Sequence, residues 1–319
     1  MKLFTPLRAE SVVALGEQRL IVELRKWLGD ASPKAPFGIG DDCAVVPSSG
    51  KQMLITTDPV IYGQHFDDAV PPRAVGAKLL KRNLSDIAAM GGRPVAAVLS
   101  LALAADTNVV WLREFYRGIA ATARQFKVKI VGGDITQGPA GFFGAFLTLH
   151  GEAAGKRVVT RGGALPGDRI YVTGSLGGSL LGHHYKFTPR LAEGAWLARR
   201  AEVCAMMDVS DGLAKDLDSL TPDGLAAAIC EPSVPISAAA RKCATQTKQT
   251  PLFHALGDGE DYELLIVMCY RADQGKFEAA WKKRFPRVRL TQIGVFAKKE
   301  NMPSGAVRLL DYSGYEHLR

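Results

Sequence analysis

The chain has 319 residues, 47% hydrophobic and 23% charged, with 33 glycines and a formal net charge of +8. That length suits two soluble globular domains; no apolar run approaches the roughly 20 residues of a membrane helix, and Met1–Glu10 lacks the apolar stretch of a secretory signal. The five cysteines (Cys43, Cys204, Cys230, Cys243, Cys269) have no CxxC spacing, which argues against a disulfide framework or zinc site and fits a reducing cytoplasm.

Helical spacing of Leu20, Ile21, Leu24, Trp27 and Leu28 predicts an amphipathic helix over 17–28. Strands are expected near 43–46 and 53–57, a helix over 72–90 stopped by Gly91-Gly92, a strand over 95–104 and a helix over 111–126. Strands at 128–131 and 142–150 follow. The glycine-rich, basic stretch 151–167 marks the expected boundary between domains 1–150 and 151–319. Beyond it come a strand at 169–172, a helix over 211–220 capped by Ser210 or Asp211, a strand at 264–268, a helix over 274–285 and a strand at 290–296. Strands alternate with helices in both halves, so the class is α/β or α+β.

Acidic clusters punctuate this order: Gly38-Ile39-Gly40-Asp41-Asp42, Thr56-Thr57-Asp58, Asn83-Leu84-Ser85-Asp86, Gly132-Gly133-Asp134, Asp208-Val209-Ser210-Asp211-Gly212 and Gly257-Asp258-Gly259-Glu260-Asp261. Carboxylates at the ends of apolar strands are costly unless something positive neutralises them. Oxygen-rich sets of this kind suit hard divalent cations, above all magnesium holding phosphates. Taken singly, each cluster reads equally as a solvated turn, a helix cap or an outward-facing helix residue. Paired glycines before Asp134 also suit an anion nest.

Other signals are weaker. There is no Walker A sequence, and Gly174-Ser175-Leu176-Gly177-Gly178-Ser179 lacks a following Lys-Ser/Thr. His183-His184 reads as a surface or core pair rather than a metal site. The basic runs Lys282-Lys283-Arg284 and Lys298-Lys299 have no interleaved aromatics, which favours a basic enzyme surface over a nucleic-acid interface.

In order and spacing, GIGDDCAVV (38–46), TTD (56–58), GQHF (63–66), NLSDIAAMGGRP (83–94), VGGD (131–134), DVSDGLAKDL (208–217) and GEDYELL (259–265) resemble the thiamine-monophosphate kinases, within the aminoimidazole ribonucleotide synthetase-like ATP-binding superfamily. The resemblance implies a two-domain fold: an N-terminal α+β domain for ATP/magnesium binding and dimerisation, whose strands close a β-barrel in a homodimer, and a C-terminal α/β domain. It implies ATP-dependent, magnesium-dependent phosphorylation of thiamine monophosphate to thiamine diphosphate by direct in-line transfer in the cytoplasm, with no nucleic-acid or membrane partner. Implied magnesium ligands are Asp42, Thr56, Thr57, Asp58, Asp86, Asp134, Asp208 and Asp211, of which Asp58, Asp134 and Asp211 are the implied catalytic carboxylates. Gly133, Asp134, Arg161, Ser210 and Tyr116 are implied at ATP, and His65, Glu260 and Tyr312 at thiamine monophosphate.

Four places depart from the family pattern: Asp258, where serine-glycine character is usual; Gly177-Gly178-Ser179, where Gly-Asp-Ser is usual; the segment between Leu181 and Pro189, which is short; and Ile135, where threonine is common. The alternatives are a superfamily enzyme acting on a different phosphate- or carboxylate-bearing acceptor, and a catalytically degenerate ATP-binding protein.

Overall fold

A computed structural model of the chain describes Ala14, Arg19 and Val22, and residues 41–315 other than 42, 48, 49, 51, 304 and 313. Of the helix expected over 17–28 only Arg19 and Val22 are described, both helical; the rest of it, Gly38-Ile39-Gly40 and Asp42 lie outside the described residues.

Strands β1 (Ala44–Pro47) and β2 (Gln52–Ile61) pair antiparallel. Helix α1 (Pro72–Ala89) starts on a proline, whose fixed φ suits the first turn and whose missing N–H is no loss there. After it come β3 (Gly92–Leu103), α2 (Val109–Phe126), β4 (Lys129–Gln137) and β5 (Phe143–Ala153). Asn108 caps α2, accepting from the Val110 and Trp111 amides. The sheet runs β1-β2-β5-β3-β4 and is antiparallel except for β3–β4, which α2 connects as a parallel crossover. Val75, Leu79, Leu80, Leu84 and Ile87 of α1 join Leu54, Leu147 and Leu149 of the sheet in one core. Two glycines let α2 lie close on α1: a Cβ on Gly76 would sit 2.0 Å from the Phe115 carbonyl oxygen, and one on Gly118 2.0 Å from that of Arg73.

The second half contains β6 (Arg169–Thr173), α3 (His183–Lys186), α4 (Leu191–Leu197), β7 (Val203–Asp208), α5 (Leu213–Leu220), β8 (Leu225–Ile229), α6 (Ala238–Thr247), α7 (Pro251–Gly257), β9 (Leu264–Met268), α8 (Gln274–Arg284) and β10 (Leu290–Lys298). Its sheet, β7-β9-β6-β10-β8, is antiparallel throughout. All five residues of β9 are buried because helices cover both faces. Leu265 and Val267 meet Leu213, Leu217 and Leu256 on one face; Leu264, Ile266 and Met268 meet Leu197, Phe277 and Trp281 on the other.

The fold is thus an α/β arrangement with one mixed and one antiparallel sheet, and neither closes into a barrel among the described residues. Ala88 and Ala89 of α1 belong to the second half's core, so α1 is shared by both halves. The run Lys282-Lys283-Arg284 forms the last turn of α8, where positive charge complements the helix dipole. No helix among the described residues is long and apolar enough to cross a membrane.

Candidate active site

Helix α1 forms one wall of a cleft of about 360 Å³. Lys78, Arg82 and Asp86 recur at i, i+4 and i+8, so they form one stripe about 12 Å long. The stripe runs from a basic end to an acidic one.

At the acidic end, β2 brings Thr56 and Asp58 to the face turned toward α1. The Thr56 hydroxyl donates to the Asp86 carboxylate, and Arg82 Nη2 donates to Asp58 Oδ1 at 3.2 Å while Nη1 donates to the Pro59 carbonyl at 2.7 Å. The Thr57 hydroxyl donates to the Leu147 carbonyl at 3.1 Å and also lines the cleft. From the second half, β7 ends at Asp208, which accepts from Ser85 Oγ at 2.5 Å. Asp211 lies beyond, with Lys215 Nζ 2.9 Å from its carboxylate. Asp41 Oδ1 accepts from the Arg161 amide at 3.2 Å, and both residues line the cleft.

The start of α5 differs from the sequence expectation. Neither Ser210 nor Asp211 caps it; the Asp216 carboxylate, inside the helix, reaches back to accept from the Ser210 and Asp211 amides at 2.9 and 3.1 Å. Ser210 and Asp211 can therefore line the cleft. Burial pushes the Asp216 carboxyl well above its ordinary pKa, and the charges of Asp211 and Asp208 push it the same way. The carboxylates of Asp41, Asp58, Asp86, Asp208 and Asp211, with the hydroxyls of Thr56, Thr57 and Ser210, make an all-oxygen donor set. Such a set fits a hard divalent cation better than a soft one.

At the basic end the loop Gly259–Tyr262 is held in unusual conformations: Glu260 and Tyr262 adopt φ of +54° and +51°. Non-glycine residues take these values only when their surroundings fix them. Here the Glu260 amide donates to the Ser210 carbonyl at 2.6 Å and the Tyr262 amide to the Val209 carbonyl at 2.8 Å. Two of the departures from the family pattern, Asp258 and Gly178, meet beside this loop. Asp258 Oδ2 accepts from the Gly178 amide at 2.7 Å and Asp258 Oδ1 lies 2.9 Å from His254 Nδ1. A Cβ on Gly178 would lie 2.4 Å from the Ala239 backbone, at a φ of +71°. A side chain at 178 would have to displace this backbone, and the Gly178 amide is held by the Asp258 carboxylate.

Residues 40–153 match the family model described as AIR synthase related protein, N-terminal domain. A thiamine-monophosphate kinase of Rhodopirellula baltica is 38% identical over 248 residues, covering 74% of this chain and 77% of that one. The chain belongs to the thiamine-monophosphate kinase family. As a member it is an enzyme, a kinase. The thiamine-monophosphate kinase of Salmonella typhimurium is 31% identical over 331 residues, covering 96% and 99% of the two chains. Among solved structures, AaThiL complexed with AMPPCP and TMP has a TM-score of 0.80 at 29% identity, covering 99% of this chain and 100% of that one. The hydrogenase maturation protein HypE in complex with ATP, 19% identical with a TM-score of 0.64, shares the fold alone.

Of the residues expected from the thiamine-monophosphate kinase pattern, Thr56, Thr57, Asp58, His65, Asp86, Arg161, Asp208, Ser210, Asp211 and Glu260 meet in this cleft. Gly133 and Asp134 do not. The strand expected to end at Val131 continues to Gln137, so both lie on the exposed edge strand β4. Asp134 is level with Pro59 through Ser100 and Phe146, three strand spacings or roughly 14 Å away. Tyr116 lies on α2 with its ring against Phe115, and Tyr312 packs near Phe253. Sequence reasoning gave no role to Arg82, Tyr262 or Tyr315, which also line the cleft. Tyr315 had a signal in the Gly314-Tyr315 pair; its amide donates to the Asp211 carbonyl at 2.8 Å.

Behind Glu260, His184 is 6% exposed and its Nδ1 lies 2.9 Å from Lys78 Nζ. An ammonium only donates, so Nδ1 accepts and the ring is neutral. Burial, then the Lys78 charge, pushes the imidazole down from 6.5 to about 4. Between these values the unfolded chain binds a proton that the folded chain refuses, so stability is lost as pH falls through this window. His184→Gln keeps an acceptor for Lys78 but removes the titration. Its Tm should fall less than wild type between pH 6.5 and pH 4; parallel Tm curves would contradict this origin.

Proposed function

We propose that the chain transfers the γ-phosphoryl group of ATP directly to the phosphate of thiamine monophosphate, giving thiamine diphosphate and ADP. The observation that carries this reading is the convergence of four aspartates, Asp58, Asp86, Asp208 and Asp211, with Arg161 in one cleft. The match to a solved structure holding AMPPCP and TMP supports it, since these are an ATP analogue and, on this reading, thiamine monophosphate.

Joining two polyanions is chiefly a problem of positioning and charge. Magnesium ions held by Asp58, Asp86, Asp208 and Asp211, with Thr56, would supply the charge neutralisation when bound; Thr57 also lines the cleft, and Asp42 completes the ligand set the resemblance implies, without Asp134, which lies outside the cleft. Arg161 offers a fixed cation to the phosphates, and the Ser210 hydroxyl a donor. Asp58 is oriented by Arg82, and Asp208 by Ser85. The acceptor is already an anionic phosphate oxygen, so no general base is needed. At the basic end Glu260 offers its carboxylate to a cationic thiazolium ring, and Tyr315, which also lines the cleft, offers an aromatic face. Incubating the protein with ATP, thiamine monophosphate and magnesium, and reading product as thiochrome fluorescence, tests the reading. Product should appear and should vanish with EDTA; ATP binding without product would overturn the acceptor.

We further propose that two copies pair through the first sheet, closing the barrel the resemblance implies and covering Gly133 and Asp134. Val98, Ile130, Ile135 and Phe146 stand exposed there, Ile135 at 67%. An apolar sheet surface of this kind, reaching from β5 and β3 to the edge strand β4, is a liability in a monomer. Sedimentation should give a dimer that Ile135→Lys shifts toward monomer; a wild-type monomer at micromolar concentration would refute the pairing.

A further inference from the structure

Lys78 is the least expected residue of α1. Its side chain is fully buried, although it lies in the middle of a helix whose neighbours Leu79 and Leu80 are core. An ammonium in such a place costs several kcal/mol unless it is fully partnered. Lys78 has three acceptors, one for each of its N–H bonds. Nζ donates to the His65 carbonyl at 2.8 Å, meets His184 Nδ1 at 2.9 Å, and donates to the Glu260 carboxylate, 2.8 Å from Oε1 and 2.9 Å from Oε2.

These partners come from three separate parts of the chain. His65 follows β2, His184 lies on α3, and Glu260 sits in the strained loop before β9. Lys78 itself does not line the cleft, whereas His65 and Glu260 do. The Glu260 side chain is 22% exposed, so one side faces the ammonium and the other remains open to a ligand. Burial raises the Glu260 carboxyl and Lys78 and Arg82 lower it; the net result is downward, so the group stays ionised.

We infer that Lys78 is the positioning residue for the acceptor: its buried ammonium ties His65, His184 and Glu260 together and fixes the carboxylate that meets the acceptor's cationic ring. The inference rests on the acceptor assigned under the proposed function. It separates Lys78 from Arg82, one turn along the same stripe, which orients Asp58 at the phosphate end.

The experiment is a double-mutant cycle with Lys78→Met and Glu260→Gln, measuring KM for thiamine monophosphate and for ATP in each variant. Lys78→Met should raise KM for thiamine monophosphate at least tenfold and leave KM for ATP within twofold. Combined with Glu260→Gln, it should add little to the effect of Glu260→Gln alone, because both changes break one interaction. A general loss of structure would move both KM values and multiply across the cycle, and either result would overturn the positioning role. The double variant removes both charges together and is the better tolerated of the two. If Lys78→Met alone does not fold, Lys78→Gln takes its place in the cycle. Failure of the wild-type chain to turn over thiamine monophosphate would instead overturn the acceptor assignment, and this role with it.

Discussion

Asp58→Asn and Asp211→Asn are each expected to lower kcat by about a thousandfold or more while leaving the fold intact. Removing a preorganised electrostatic group at a transferring phosphate typically costs on the order of 10²–10³ in rate, and each of these carboxylates is also expected to hold a cation. The change is isosteric, and each asparagine oxygen can still accept from the neighbouring Arg82 or Lys215. The two carboxylates are 23% and 24% exposed and their partners Arg82 and Lys215 only 10% and 11%, so each lost ion pair should cost about 3 kcal/mol of stability. The two effects separate cleanly: activity collapses while Tm moves a few degrees. Turnover within tenfold of wild type at saturating magnesium would remove that residue from the site.

Gly76→Ala should lower the stability of the chain. Alanine in place of glycine inside a helix gains up to ~1 kcal/mol from propensity. Against that, the new methyl would stand 2.0 Å from the Phe115 carbonyl oxygen and 3.1 Å from the Ile119 nitrogen. These are backbone atoms of α2 and cannot step aside as a flexible side chain would. The helices must separate, and overpacking of this kind costs about 1–3 kcal/mol, occasionally more. The clash therefore wins, with a net destabilisation of about 1–2 kcal/mol and lower activity as well, since α1 carries the cleft's stripe. A Tm equal to or above wild type would show that α1 and α2 lie farther apart than described.

Much of this was legible in the sequence where one apolar period ran long enough. The helix at 72–89 and the strand at 264–268 follow from such runs. Strand β8 does not, because Leu225-Ala226-Ala227-Ala228-Ile229 is alanine-rich and has little strand preference of its own; pairing with β10 makes it a strand. Helices α3, α4 and α7 are only 4, 7 and 7 residues long, too short for periodicity to register. For the site, motifs located the carboxylates but not their supports. Arg82 and Lys78 belong to no motif, and the back-bonding role of Asp216, inside the 208–217 motif, becomes visible only when α5 and the loop before it are seen together. Gly178 and Asp258 lie in separate motifs, and only the fold shows that one hydrogen bond joins them.

The most direct test of the central claim, that this cleft passes a phosphoryl group straight between two substrates, is a single-turnover experiment with γ-labelled ATP, thiamine monophosphate and magnesium, quenched over time. The label should move from ATP into thiamine diphosphate at the rate of ATP loss, with none on the protein at any time. Label accumulating on the chain before product, or lost to inorganic phosphate with no labelled thiamine diphosphate, would contradict it.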